Sequence, residues 1–380
     1  MPPGGTSRGK RNAYHIEVRF SLRVDQDPPE VARLGKEVHL LSDTRADAFA
    51  GRVPGLEIHH VRAGRIGGGP AHAAHALGEM ALGVLQAGRL LRRLSPACVV
   101  GFGGYPSVPT MLAAVYLGLP TVIHEQNAVL GRANRLLAPR VRRIASGFPT
   151  TAGLRPSDRA RTVHIGNPVR PAILAIGQTS YKAPQRGSPI ELLILGGSQG
   201  ARIMSEVVPP ALAALPTRFR EMLRVSHQAR AEDLPAAEAI YRRNRITAEL
   251  QSFFTDVPER LARAHLAICR AGASTVAELA AIGRPAILIP YPYATDDHQT
   301  TNARAFAAAG GGWVISQPEL RADTLALHLE NLLVDNGALT VAAQSAAEFG
   351  RREATHDLAR LAGELEPGAG VGSWPQGRAA

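Results

Sequence analysis

Only two cysteines occur in 380 residues, Cys98 and Cys269, each inside an apolar run and far from any C-x-x-C spacing. That excludes a disulfide scaffold and a cysteine-built metal centre, and it fits two packed thiols in a reducing compartment. Aromatic residues make up just 5%, and none is interleaved among the arginine clusters such as Arg132, Arg135, Arg140, Arg142 and Arg143. A stacking platform for single strands is therefore not expected, and no nucleic-acid partner is assigned. Long hydrophobic runs are missing as well: none reaches the roughly 18 residues that span a bilayer, and the amino end lacks the apolar core of a signal peptide. The chain reads as cytoplasmic. Acidic residues are outnumbered, 32 against 43 basic, which leaves a net charge of +11. Such a field attracts a diphosphate or an anionic membrane surface, and a coding bias towards arginine accounts for it equally well.

What is present is a globular composition, 45% hydrophobic and 20% charged, in a length that suffices for two domains. From Val31 onward strand-like runs alternate with helical stretches. Glu37 to Ser42, Leu56 to Val61, Cys98 to Phe102 and Pro120 to His124 read as strands, with helices over 70–94 and 108–118. The alternation predicts a parallel sheet covered by helices, with ligands outside the carboxyl ends of the strands. Residues 161–170 and 175–189 break the rhythm and read as a linker. The second half repeats the pattern and closes on a helix expected at about 340–365. The expected boundaries are an atypical segment 1–30, a first domain 31–165, a linker 166–190, a second domain 191–365 and a disordered tail 366–380. Within the first segment, 14–24 alternates like an edge strand, and Asp25-x-Asp27 reads as a solvated turn.

The strongest local signal is E-L-L-I-L-G-G-S-Q-G-A, residues 191–201. A strand runs into Gly196 and Gly197, and Ser198, Gln199 and Gly200 lead into a helix. Glycines let backbone N–H groups approach an oxyanion, serine adds a hydroxyl, and the helix N-terminus adds partial positive charge. A second cradle of the same design, Arg270-Ala271-Gly272-Ala273-Ser274-Thr275, opens the helix expected over 276–282. Glu278 reads either as a capping partner for that helix or as a carboxylate that takes both hydroxyls of a ribose. The loop 296–303 offers His298, Gln299 and Asn302, which suit sugar hydroxyls or simply cap the next helix. A dinucleotide oxidoreductase is not expected, because no G-x-G-x-x-G follows a strand with an acidic residue about 20 positions later. Two cradles, a carboxylate and an amide-rich loop in one half point to a nucleotide sugar.

G-F-G-G-Y-P-S at 101–107, H-E-Q-N at 124–127, G-N-P-V-R at 166–170, G-G-S-Q-G-A at 196–201, R-A-G-A-S-T-V-A-E at 270–278 and D-D-H-Q-T-T-N-A at 296–303 together resemble the MurG family. Its members are the N-acetylglucosaminyltransferases that make peptidoglycan lipid II, and the likeness runs from about Gly35 to residue 365. It implies two Rossmann-like parallel-sheet α/β domains facing a cleft, the GT-B glycosyltransferase architecture, with the last helix able to pack back on the amino-terminal domain. The implied reaction is inverting transfer of N-acetylglucosamine from UDP-N-acetylglucosamine to the C4 hydroxyl of the muramyl residue of lipid I, the undecaprenyl-diphosphate-linked muramyl pentapeptide. The donor would sit mainly in the carboxyl-terminal domain. Ser198 would bind its phosphate, Arg170 and Asn127 would line its site, and Ala273 and Ser274 would belong to the second cradle. Thr255 would meet uracil through its backbone, Glu278 the ribose, and Gln299 and Asn302 the N-acetylglucosamine, with His298 where many members have a glutamine. Gly103, Gly104 and Tyr105, with His124 and Glu125, would face the acceptor. Basic and apolar surface near 65–95 would rest on the anionic inner membrane, making the protein peripheral on its cytoplasmic face. No motif requires a cofactor or a metal ion.

One departure stands out. Members of the family open with a strand, a G-G-T-G-G-H loop and a helix, and the loop histidine is the favoured general base. Here Gly4-Gly5-Thr6 is followed by Ser7-Arg8-Gly9 where Gly-Gly-His would stand. The resemblance thus implies that the first strand, much of the loop, its helix and the base are missing or replaced, with residues 1–30 arising from a frameshift or a misplaced start codon. Glu125 or His124 would then serve as the base. A second reading follows, a UDP-sugar-binding protein with impaired or no catalysis.

Overall fold

The computed structural model describes residues 13–17, 37–44, 56–64, 69–176, 180–197 and 201–366. The amino-terminal part is built on seven strands: β1 Ala13–Glu17, β2 Glu37–Ser42, β3 Glu57–His60, β4 Cys98–Gly101, β5 Thr121–Glu125, β6 Arg143–Ser146 and β7 Thr162–His164. They lie in the order β3-β2-β1-β4-β5-β6-β7, every pairing parallel. β4 and β5 are buried along their whole length, as strands covered on both faces must be; C-V-V-G is correspondingly apolar, while T-V-I-H-E buries His124 and Glu125 at its carboxyl end.

The edge-strand expectation for 14–24 is corrected. Ala13–Glu17 lies in the interior of the sheet, with Tyr14 opposite Val38 on one side and Cys98 on the other. The slot of a first strand is therefore filled, and Gly4-Gly5-Thr6 precedes that strand instead of following it. Residues 1–12 and 18–36, including Asp25 and Asp27, lie outside the described residues. β7 is a second difference, because its T-V-H falls within the stretch that reads as linker.

Six more strands form the second sheet: β8 Ile190–Leu195, β9 Leu223–Gln228, β10 Thr247–Gln251, β11 Leu266–Cys269, β12 Ala286–Leu288 and β13 Gly312–Val314. Their order is β10-β9-β8-β11-β12-β13, again all parallel. Both sheets are doubly wound. Strand order reverses between β1 and β4 in the first and between β8 and β11 in the second, and a crevice opens at the carboxyl ends of such strands.

The helix expected at 340–365 is two helices, Asn336–Phe349 and Ala354–Gly363. The chain breaks at Gly350, where a Cβ would stand 2.7 Å from the Ala280 carbonyl oxygen, so only glycine admits this approach. Arg352 then donates to the Leu174 carbonyl at 2.6 Å. The last helix crosses to the first sheet, where Leu358, Ala359, Leu361 and Ala362 join Val38, Cys98, Val100, Phe102 and Val122 in one cluster. Residues 367–380 lie outside the described residues.

Helix Pro70–Leu94 lies over the first sheet on a face of Ala76, Gly83, Ala87 and Leu91. Gly83 has no room for a side chain beside Arg62 and Pro109, which lets the helix sit close. Its outer side exposes Leu77, Leu82 and Leu85. Among the described residues no helix is long and apolar enough to cross a membrane. Both thiols are buried, and burial pushes each up to about 12, so they serve as packing groups.

Candidate active site

The carboxyl end of β5 carries H-E-Q-N into the mouth between the domains, and its first two side chains turn inward. His124 is fully buried, and its Nε2 donates to the Gly166 carbonyl at 2.9 Å. Its Nδ1 faces the Gln126 amide at 3.3 Å, and burial pulls the imidazole down to about 4. Glu125 is 2% exposed. One oxygen accepts from the Asn127 backbone and side-chain nitrogens at 3.0 and 3.2 Å, the other from Gly131 N and Asn134 Nδ2 at 2.9 and 2.8 Å. With four donors on one carboxylate and little exposure, Glu125 shapes the 125–134 loop. Neither side chain is presented to the cleft in this structure, so the proton removal expected of Glu125 or His124 requires the 125–134 loop to release it first.

The G-N-P motif locks onto the same element. Gly166 adopts φ +86°, a left-handed conformation that favours glycine, and Asn167 Nδ2 donates to the Gln126 carbonyl at 2.9 Å. These bonds fasten the exit of β5 to the start of the interdomain connection and so aim Arg170. Arg170 Nε and Nη2 meet the two oxygens of Glu278 at 2.8 and 2.9 Å, with both side chains largely buried. Glu278 is thereby committed to arginine in this structure. It cannot cap its helix, which begins at Ala273, earlier than expected, and leaves Glu278 beyond the first turn.

Asn302 is fully buried and joins the domains. Its Oδ1 accepts from Ala128 N at 2.8 Å, while Nδ2 donates to Asn127 Oδ1 and to the Ala271 carbonyl, each at 3.1 Å. The direct sugar contact expected of Asn302 is thus replaced here by a clasp. Arg132 adds an exposed ion pair to Asp296 at 3.3 Å, so H-E-Q-N-A and the 296–303 loop meet across the cleft. Gln299 Oε1 accepts from Tyr291 N at 2.9 Å, and His298 Nδ1 holds the Thr295 carbonyl at 2.7 Å.

Gly103 and Gly104 leave β4 with φ near +80°, at the point where the first sheet reverses order, and Tyr105 follows, partly exposed. A side chain on Gly103 would collide with Asn134. Ala273 and Ser274 form the first turn of helix Ala273–Ile282 at the end of β11, partly exposed, and Thr255 is exposed beyond β10. Ser198, Gln199 and Gly200 lie outside the described residues. Sequence reading missed Arg260, which sits over the Phe254 ring at 4.0 Å and donates to Asp256, Glu249 and Ser226 at 2.7–2.8 Å, steadying the Thr255 loop. It missed Asn134 as well. The Asp256–Arg260 spacing of i, i+4 was the one available sign of the first, and nothing marked the second.

Two doubly wound domains, clasped so that their strand-order reversals open on one cleft, with an arginine, amides and a helix N-terminus at its mouth, define a nucleotide-sugar transferase of the GT-B class. Residues 191–358 match the glycosyltransferase family 28 C-terminal domain and 29–146 the corresponding N-terminal domain. A protein of Rhodospirillum centenum is 51% identical over 344 residues, 90% of each chain, and one of Paramagnetospirillum magneticum is 52% identical over 368 residues, 97% of this chain and 96% of its own. Both bear the name UDP-N-acetylglucosamine--N-acetylmuramyl-(pentapeptide) pyrophosphoryl-undecaprenol N-acetylglucosamine transferase. The crystal structure of Acinetobacter baumannii MurG superposes with a TM-score of 0.75 at 28% identity, covering 93% of this chain and 99% of that one. The calicheamicin glycosyltransferase CalG4, at 16% identity and a TM-score of 0.62, shares the fold. The chain belongs to the MurG family.

Proposed function

We propose that this protein transfers N-acetylglucosamine from UDP-N-acetylglucosamine to the C4 hydroxyl of the muramyl residue of lipid I, with inversion and release of UDP. The observation that carries this reading is the meeting of H-E-Q-N-A with the 296–303 loop over a cleft flanked by the β11 helix N-terminus and Arg170. A departing diphosphate needs positive charge and aimed N–H groups, and both stand there. Donor binding has Arg170 exchange Glu278 for the diphosphate while Glu278 takes the ribose hydroxyls, a swap that keeps each charge partnered. Ser198 supplies a further phosphate donor, Thr255 the uracil contact, and Gly103 to Tyr105 the acceptor side.

The protein docks as a peripheral protein on the cytoplasmic face of the inner membrane. Leu77, Leu82 and Leu85 are exposed on one side of helix Pro70–Leu94, followed by Arg89 and Arg92 on the same arc, and Tyr116 is exposed nearby. Apolar anchors followed by arginines on one helix arc suit an anionic lipid surface.

Turnover of UDP-N-acetylglucosamine on a lipid I analogue, run beside UDP calorimetry, tests the proposal. Formation of the disaccharide product bears it out. UDP binding with no product, and product only from a version carrying G-G-T-G-G-H after its first strand, would establish the binding-only reading. Failure of both would overturn the assignment.

A further inference from the structure

On the outermost pair of strands in the first sheet, β2 and β3 converge three side chains that the transfer reaction does not use. His39 lies opposite Glu57 in the parallel register, and His59 follows on the same face of β3. His39 Nδ1 is 3.2 Å from His59 Nε2 and 3.3 Å from Glu57 Oε2, and His59 Nε2 is 3.7 Å from that same oxygen. An ion held tetrahedrally by nitrogen and oxygen at about 2.0–2.2 Å spaces its ligands about 3.3–3.6 Å apart. The three atoms already trace one face of such a tetrahedron.

We propose that His39, Glu57 and His59 form a zinc-type divalent metal site that staples the edge strand β3 to β2. Two imidazoles and one carboxylate are a donor set that zinc accepts, and the fourth position is left to water. Glu37 Oε1 stands 3.5 Å from His39 Nε2, the outer carboxylate that orients a ligating histidine and leaves Nδ1 for the metal. His39 is 3% exposed while Glu57 is 62% exposed, so the site has a fixed floor and an open entry. No sequence motif announces the site because its ligands come from two strands that pair only in the fold. The competing arrangement is a plain hydrogen bond between the two rings.

The test uses the full chain stripped with a chelator. Zinc chloride is titrated by calorimetry into the wild type, His59→Gln, Glu57→Gln and His60→Gln, and the absorption spectrum is recorded with cobalt(II) in each. The wild type and His60→Gln should bind one equivalent that His59→Gln lacks, with Glu57→Gln at least about tenfold weaker. Cobalt should give a tetrahedral spectrum in the wild type that His59→Gln loses. Equal stoichiometry in the wild type and His59→Gln, no binding by either, or an octahedral cobalt spectrum would overturn the proposal and leave a histidine pair. Circular dichroism monitors folding, and should His59→Gln unfold, the exposed Glu57→Gln carries the same comparison.

Discussion

Arg170 and Glu278 are joined by two parallel hydrogen bonds, Nε to Oε1 and Nη2 to Oε2, across 108 positions of sequence. The pair links the interdomain connection to the helix after β11 at the point where a donor diphosphate would arrive. Glu278→Gln keeps the shape and removes the charge, and it costs the ribose contact proposed for the carboxylate. UDP affinity should fall by roughly 10–100-fold, the scale of a hydrogen bond to a charged group. Calorimetry with UDP reads this directly, and unchanged affinity would remove Glu278 from the donor site.

Asn302→Ala strands the Ala128 N–H and the Ala271 carbonyl in the interior. Each orphaned group costs about 1–3 kcal/mol. The first unfolding transition should move to lower denaturant, and small-angle scattering should show a larger radius of gyration as the domains part. Asn302→Asp keeps the acceptor for Ala128 N but sets a buried carboxylate oxygen against Asn127 Oδ1 and the Ala271 carbonyl, and should cost at least as much as alanine.

For Glu125, burial separates a structural role from a catalytic one. Glu125→Gln turns one acceptor oxygen into a donor that faces Gly131 N or Asn134 Nδ2, with an expected loss of about 1–3 kcal/mol in stability. The activity that remains should keep the acidic limb of the wild-type pH–rate profile. Disappearance of that limb would make Glu125 the base after all.

How much of this was legible depends on where each partner lies. Strands of consecutive apolar residues such as Leu192 to Leu195 announce themselves, because burial on both faces leaves no polar position. Ala13–Glu17 does not, since A-Y-H-I-E carries the alternation of a half-exposed strand although its neighbours flank it on both sides. The motifs told which polar residues gather at the cleft. They did not tell which face a ligand and which face each other, because Asn302 finds Ala128 from 174 positions away. Arg260 gave only its i, i+4 spacing to Asp256, because its other carboxylate partner, Glu249, lies 11 positions away.

Acid should weaken the fold through three imidazoles, two of them buried, His124 and His227, and one half-buried, His164. His124, His164 and His227 are each held at about 4 by burial, below their ordinary 6.5. Between those values the unfolded chain binds protons that the folded chain refuses, so stability falls as pH drops from about 6.5 towards 4 and is unaffected by these groups above that range. Thermal midpoints across this interval should decline. His164→Asn, removing one of the three, should make the decline shallower.

The membrane proposal is checked with vesicles containing anionic lipid. Replacing Leu77, Leu82 and Leu85 by serine alters exposed side chains only and should leave melting unchanged. Vesicle affinity should drop by roughly tenfold or more for each leucine that the bilayer buries fully. Equal partitioning of the triple variant and wild type would move the docking surface elsewhere.

Helix Ala354–Gly363 fills part of the amino-terminal core, yet it is the last described element to leave the ribosome. The first sheet therefore waits through synthesis of the entire second domain with Val100, Phe102 and Val122 lacking their final cover. Severing the chain between the domains would leave the early half without its closing piece and with apolar surface open to aggregation.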